Sequence, residues 1–166
     1  MPTSIEIVKA AVAALNAHDA AGIKTFWAPD GVERFPDAVC RGPDEIGRYF
    51  QAYFDAIPDL HVEAQAFAAE NDTVFMRSAI TGTHTGGTLK GIAPTGKRLQ
   101  VPAIDQFTVR DGKIVSNFVV FDQMEMARQL GLLPLDESVP DKALKVAFNG
   151  VTRVRRRLAA VRGHQV

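Results

Sequence analysis

The chain has 166 residues, 46% hydrophobic and 23% charged, with a formal net charge of zero, as in a globular domain large enough for one core and a pocket. No run approaches the roughly 18 apolar residues of a membrane span, and Met1–Glu6 lacks the basic start and apolar stretch of a secretory signal, so a cytoplasmic protein is expected. The lone Cys40 excludes an internal disulfide and a cysteine-based zinc site; the acidic body, with 12 Lys/Arg against 18 Asp/Glu over residues 1–140, argues against a nucleic-acid partner.

Thr3-Ser4-Ile5-Glu6 has the form of a capping box, and Ile5, Val8, Val12 and Leu15 follow at helical spacing. Asn16–Asp19 breaks that helix, and Asp19 can cap a short second one carrying Ile23, Phe26 and Trp27. Ala28–Gly31 reads as a turn and Gly31–Phe35 as a short strand before Pro36. Gly42-Pro43-Asp44-Glu45 opens a third helix, with proline in its first turn and acids at its positive end. Its stripe of Ile46, Tyr49, Phe50, Tyr53, Phe54 and Ile57 is rich in rings, and Pro58 ends it.

Strands are expected over Leu60–Glu70 and Val74–Thr83, with Asn71-Asp72 between them. A hairpin of Arg98–Val109 and Lys113–Asp122 turns about Asp111-Gly112. Met124–Leu130 is a short helix closed by Gly131, and Asp136–Asp141 is a linker. Helices followed by antiparallel strands make an α+β fold, with the helices over one face of a curved sheet. Residues 1–135 are then the domain and 136–166 a linker and basic tail, with seven Lys/Arg against Asp141 alone beyond residue 140. In that tail Leu144, Ala147, Val151, Val154, Leu158 and Val161 recur at alternating steps of three and four. Such a helix suits packing on its own body or a sister subunit, or contact with a membrane surface.

Carboxylates inside apolar strands point to chemistry, because a lone buried acid is costly unless paired or neutralised. With a two-residue turn, Asp105 faces Phe118 and Asp122 faces Val101, so both acids share one face, about 13 Å apart along the ladder. A three-residue turn would shift the register by one and split them. An acid among Val, Ala and Phe has a raised pKa and can act as general acid or base. The plainer roles are a helix cap for Asp122 and a pair with Arg77 for Asp105. His84, in the Gly-rich run Thr81–Gly87, is a candidate proton shuttle or a residue of a solvated loop mouth. That run lacks the lysine-serine ending of a phosphate loop, and His18, His61, His84 and His164 lack metal-ligand spacing, so no metal is expected.

Several segments together resemble the SnoaL-like polyketide cyclases of the NTF2-like superfamily. They are Val12–Asp19, Phe54–Leu60, Thr81–Gly86, Gly91–Gly96, Ile104–Phe107, Phe121–Gln123 and Gln129–Gly131. The resemblance covers about residues 4–133. It implies a cone-shaped α+β barrel, usually dimeric, whose curved mixed or antiparallel sheet wraps the three N-terminal helices around one apolar pocket. It also implies a cyclase or isomerase that needs no cofactor and acts on an apolar, carbonyl-bearing, polyketide-like molecule through a pocket aspartate. By position in the motif that role falls on Asp122, with Asp105 and His84 as partners. The substrate-binding rings would be Trp27, Phe35, Tyr49, Tyr53, Phe107 and Phe118.

The partners implied are an apolar small molecule and a second copy of the chain. A non-catalytic binding or assembly module is the alternative. A ketosteroid-isomerase-like site would want a tyrosine at Ala11 and an acid near Arg34 or Phe35, and an epoxide-hydrolase-like site an Arg-x-Asp strand where Ala103-Ile104-Asp105 stands.

Overall fold

Burial alternates strictly along the longest strand, where every second residue from Leu99 to Val109 is buried and those between face outward. The computed structural model describes residues 2–162, with side-chain surroundings through residue 156; His164 and the side chains of Leu158 and Val161 lie outside the described residues. In chain order the elements are α1 (Ser4–Asn16), α2 (Ala20–Thr25), β1 (Trp27–Phe35), β2 (Ala38–Arg41), α3 (Gly42–Ala56), β3 (His61–Glu70), β4 (Thr73–Thr83), β5 (Arg98–Arg110), β6 (Lys113–Phe121), α4 (Gln123–Gln129) and α5 (Val139–Arg162). The strands form one curved sheet in the order β2-β1-β6-β5-β4-β3. Among the described residues only the β1–β6 pairing is parallel.

The helices sit where their caps and apolar stripes direct them. Thr3 and Glu6 close a reciprocal capping box on α1, and Asp19 accepts from Gly22 N at 2.8 Å to start α2. At the end of α1, the Asn16 side chain mimics a strand: it donates to Val62 O at 2.9 Å and accepts from Val62 N at 2.8 Å. This ties the helix to β3. Ile7, Val8, Ile23, Ile46, Phe54 and Ile57 join Val74, Met76, Leu99, Val101 and Phe107 in one core. α1–α3 therefore cover the concave face of the sheet.

The Gly-rich run has a packing role. Gly86 N donates to Ala56 O at 3.0 Å and Gly87 N to Asp55 O at 2.7 Å, so the run satisfies carbonyls at the C-terminal end of α3. A Cβ on Gly86 would stand 2.0 Å from Asp55 O, which leaves room for glycine alone.

Four expectations are corrected. Ala28–Gly31 is part of β1, a bulged stretch where the register against β6 shifts between Trp27 and Val32. β2 was not expected; it pairs back onto β1 through the tight Pro36-Asp37 turn, with Phe35 facing Ala38. Helix α5 begins at Val139, inside the expected linker.

The hairpin correction matters most. Asp111-Gly112 is a two-residue turn, and Arg110 faces Lys113. However, Val109 faces Ile114 while Thr108 faces Ser116, so Val115 is an extra residue in β6. Beyond this bulge Asp105 faces Val119 rather than Phe118. Asn117 and Val119 are buried, whereas Phe118 and Val120 are exposed on the outer face.

Candidate active site

A cavity of about 120 Å³ lies between the concave sheet face and α1–α3. Its wall is aliphatic and aromatic, with Trp27, Phe35, Tyr49, Phe50, Tyr53 and Phe107 contributing rings. Phe35 stacks on Tyr49 with centroids 3.8 Å apart, and the Tyr49 hydroxyl lies 3.2 Å from that of Tyr53. Four polar side chains interrupt this wall: Glu33, Ser78, Asp105 and Asn117.

Sheet register explains how these four meet. Glu33 on β1 faces Asn117 on β6. Asn117 stands two residues from Val119, the partner of Asp105 on β5, and Ser78 stands two residues from Met76, the partner of Asp105 on β4. Residues two apart share a face, so the four form a diagonal row across four strands. All are buried.

The row is organised by one amide. Asn117 Nδ2 donates to Glu33 Oε1 and to Asp105 Oδ1, each at 3.1 Å. Two carboxyl groups fix the orientation of this amide, because its oxygen could face them only if both were protonated. Glu33 Oε2, Asn117 Oδ1 and Ser78 Oγ are buried without a partner among the described residues.

Burial pushes the Glu33 carboxyl up to about 8; the Asn117 hydrogen bond opposes this and the nearby Asp105 charge adds to it. Burial likewise raises Asp105 to about 6, against the same amide. Between those values the pair holds one carboxylate and one carboxylic acid, a base and an acid side by side. The Tyr49 and Tyr53 phenols are raised by burial and stay neutral. Cys40, raised to about 11 chiefly by burial, is a packed thiol and no nucleophile.

Of the residues expected from sequence, Asp105, Trp27, Phe35, Tyr49, Tyr53 and Phe107 line the cavity. Asp122, Phe118 and His84 do not. The Val115 bulge turns Phe118 to the outer face, 53% exposed. Asp122 lies past the end of β6, exposed, and its Oδ1 accepts from Glu125 N at 2.9 Å as the N-cap of α4. His84 is fully buried, yet neither in the cavity nor at a solvated mouth. Its ring lies 3.2 Å from Gly87 O and 3.4 Å from Thr95 N and Oγ1, while its main chain pairs with Lys97 and Gly96. It pins the β4–β5 connection. Arg77 faces outward and is not a partner for Asp105.

Sequence reading missed Glu33, Asn117 and Ser78. Glu33 had a usable signal: it is two residues from Phe35, so strand alternation puts it on the face that carries Phe35. It also sits beside the position where an isomerase-like acid was expected. Asn117 had none, because the bulge decides its side.

Three solved structures share this architecture. AclR of Streptomyces galilaeus, a proposed hydroxylase, is 30% identical over 79% of this chain and 97% of its own, with a TM-score of 0.70. IdmH of Streptomyces antibioticus, a proposed polyketide cyclase, is 26% identical over 78% of this chain and 99% of its own, TM-score 0.68. A SnoaL-like protein of Jannaschia sp. CCS1 shares the fold at 20% identity over 79% and 93% of the two chains, TM-score 0.71. No curated protein matches the chain. The family model described as SnoaL-like polyketide cyclase matches residues 5–130, and the chain belongs to that family.

Proposed function

We propose that the protein is a cyclase or isomerase that moves protons on an apolar, carbonyl-bearing small molecule and needs no cofactor for that chemistry. The observation that carries this is the amide-bridged pair of Glu33 and Asp105, each 3.1 Å from Asn117 in a wall of rings. Asp105, the first of the pair to ionise, takes a proton from the carbon next to the carbonyl. Glu33, retaining its proton, donates to the oxygen on which enolate charge develops. Asn117 positions both acids.

The test is solvent exchange of the α-hydrogens of cyclohexyl methyl ketone in D2O, followed by NMR. Asp105→Asn should slow exchange by about 10²- to 10⁴-fold. Equal exchange in that variant removes Asp105 from the mechanism. The wild-type rate should rise through about pH 6 and fall through about pH 8, as the pair titrates.

A second reading keeps the cavity without the reaction and makes the protein a binding or assembly module. Apolar residues outside the core favour an assembly role. Phe75, Ile104, Phe118 and Val120 lie together on the outer sheet face, which suits a homodimer, and Val146 and Phe148 are about 70% exposed on α5. On this reading residues 1–135 bind the ligand and 136–166 serve the partner subunit or a membrane surface; no helix among the described residues is long and apolar enough to cross one.

A further inference from the structure

The cavity wall carries hydroxyl donors on Ser78, Tyr49 and Tyr53 but, among the described residues, no cationic side chain. Asn117 spends its NH₂ group on the two carboxyls, which leaves its Oδ1 a buried acceptor without a partner among the described residues. Glu33 Oε2 is a second such acceptor and Ser78 Oγ offers a third. Among the described residues no lysine, arginine or histidine lines the cavity. Lys90 lies 5.7 Å from the Tyr49 ring centre, and it is paired with Asp37.

We infer that the cavity binds a small hydrophobic amine in its protonated form, the ammonium seated on the Glu33–Asn117–Asp105 row and the hydrocarbon against the rings. An ammonium is a donor-only cation, the complement of a site that offers unpartnered acceptors beside two acids and lacks a cationic side chain among the described residues. Its single positive charge balances the one carboxylate that the pair holds near neutral pH and draws the second acid toward ionisation. The volume sets the size: about 120 Å³ is close to the roughly 150 Å³ cavity that takes a benzene ring, so a ligand with one ring and a short side chain is the scale. A carbonyl ligand uses the protonated form of the acid pair, whereas an ammonium uses the ionised form. Amine binding therefore goes beyond the proposed reaction and holds whether or not the protein is an enzyme.

Proton linkage provides the test. The groups facing Glu33 are Asp105 on β5, Cys40 on β2 and Tyr49 on α3, and the last two stay neutral over pH 6–8 because burial raises both. Benzylamine, benzyl alcohol and toluene are titrated calorimetrically into the full chain at pH 7, in phosphate and in Tris. Benzylamine should bind about ten- to hundred-fold tighter than benzyl alcohol, the range of charge-assisted hydrogen bonds. Its heat should differ between the two buffers as Glu33 releases its proton, and its affinity should rise from pH 6 to pH 8. Glu33→Gln should remove most of the preference.

Equal binding of amine and alcohol, or no buffer dependence, overturns the inference; both are read on the wild-type chain and need no variant. Ketone exchange is measured separately. Loss of the exchange activity with retention of the amine preference discards the catalytic reading alone, and the reverse discards this one alone.

Discussion

Replacing Glu33 with glutamine removes a carboxyl group that the fold holds protonated, and its effect on stability should depend on pH. In the unfolded chain this group titrates near its ordinary 4.5, and in the native cavity near about 8. Between these values the folded state binds the extra proton, so stability falls as pH rises through that window. The separation corresponds to about 5 kcal/mol from pH 4 to pH 9, with a smaller loss of about 3 kcal/mol from Asp105, raised from 3.8 to about 6. Against a total of roughly 5–15 kcal/mol for a domain, this leaves the wild type marginal under alkaline conditions.

Glu33→Gln abolishes the larger loss and keeps the smaller. The carbonyl oxygen of the substituted amide can still accept the Asn117 hydrogen bond, so packing is preserved. Urea unfolding followed through the single tryptophan, Trp27, at pH 4 and pH 9 measures the difference directly. The variant should gain about 5 kcal/mol on the wild type between those pH values, at unchanged m-value. A gap that is the same at both would mean that Glu33 is ionised in the folded protein, and the acid role assigned to it would fail.

Three other substitutions separate the cavity from its surroundings. Asp122→Ala should cost about 1 kcal/mol through the lost α4 cap and leave ligand binding unchanged; denaturation and calorimetry check the two halves. His84→Ala should destabilise by about 2–4 kcal/mol, since it leaves a void and unpairs buried loop groups, without altering the preference among cavity ligands. Phe118→Asp, on the outer face, should shift sedimentation toward monomer while preserving the cavity; an unchanged mass would move the proposed dimer contact elsewhere.

Much of the architecture is legible in local chemistry. The Thr3–Glu6 capping box, the Asp19 cap, the proline-led start of α3 and the Asp111-Gly112 turn each act within four residues, and each forms as read. The ring-rich stripe of α3 likewise put Tyr49 and Tyr53 in the cavity wall. The site was less legible because its members meet through pairings between distant strands. Glu33 and Asn117 are 84 positions apart, and the parallel β1–β6 pairing that joins them leaves no mark in either segment. Asp122 was misplaced for a different reason: counting back from the turn passes unaware through Val115.

That single inserted residue decides which positions, counted from the turn, face the interior. Deleting Val115 would close the ladder with Ser116 still opposite Thr108 and Asn117 still opposite Phe107, so the inner set would stay in place, one step nearer the turn. A relative lacking the insertion would thus show its ligand the same functional groups at positions displaced by one in the count from the turn. Transfer of reactive positions between members of this family should follow strand partners rather than distance from the turn.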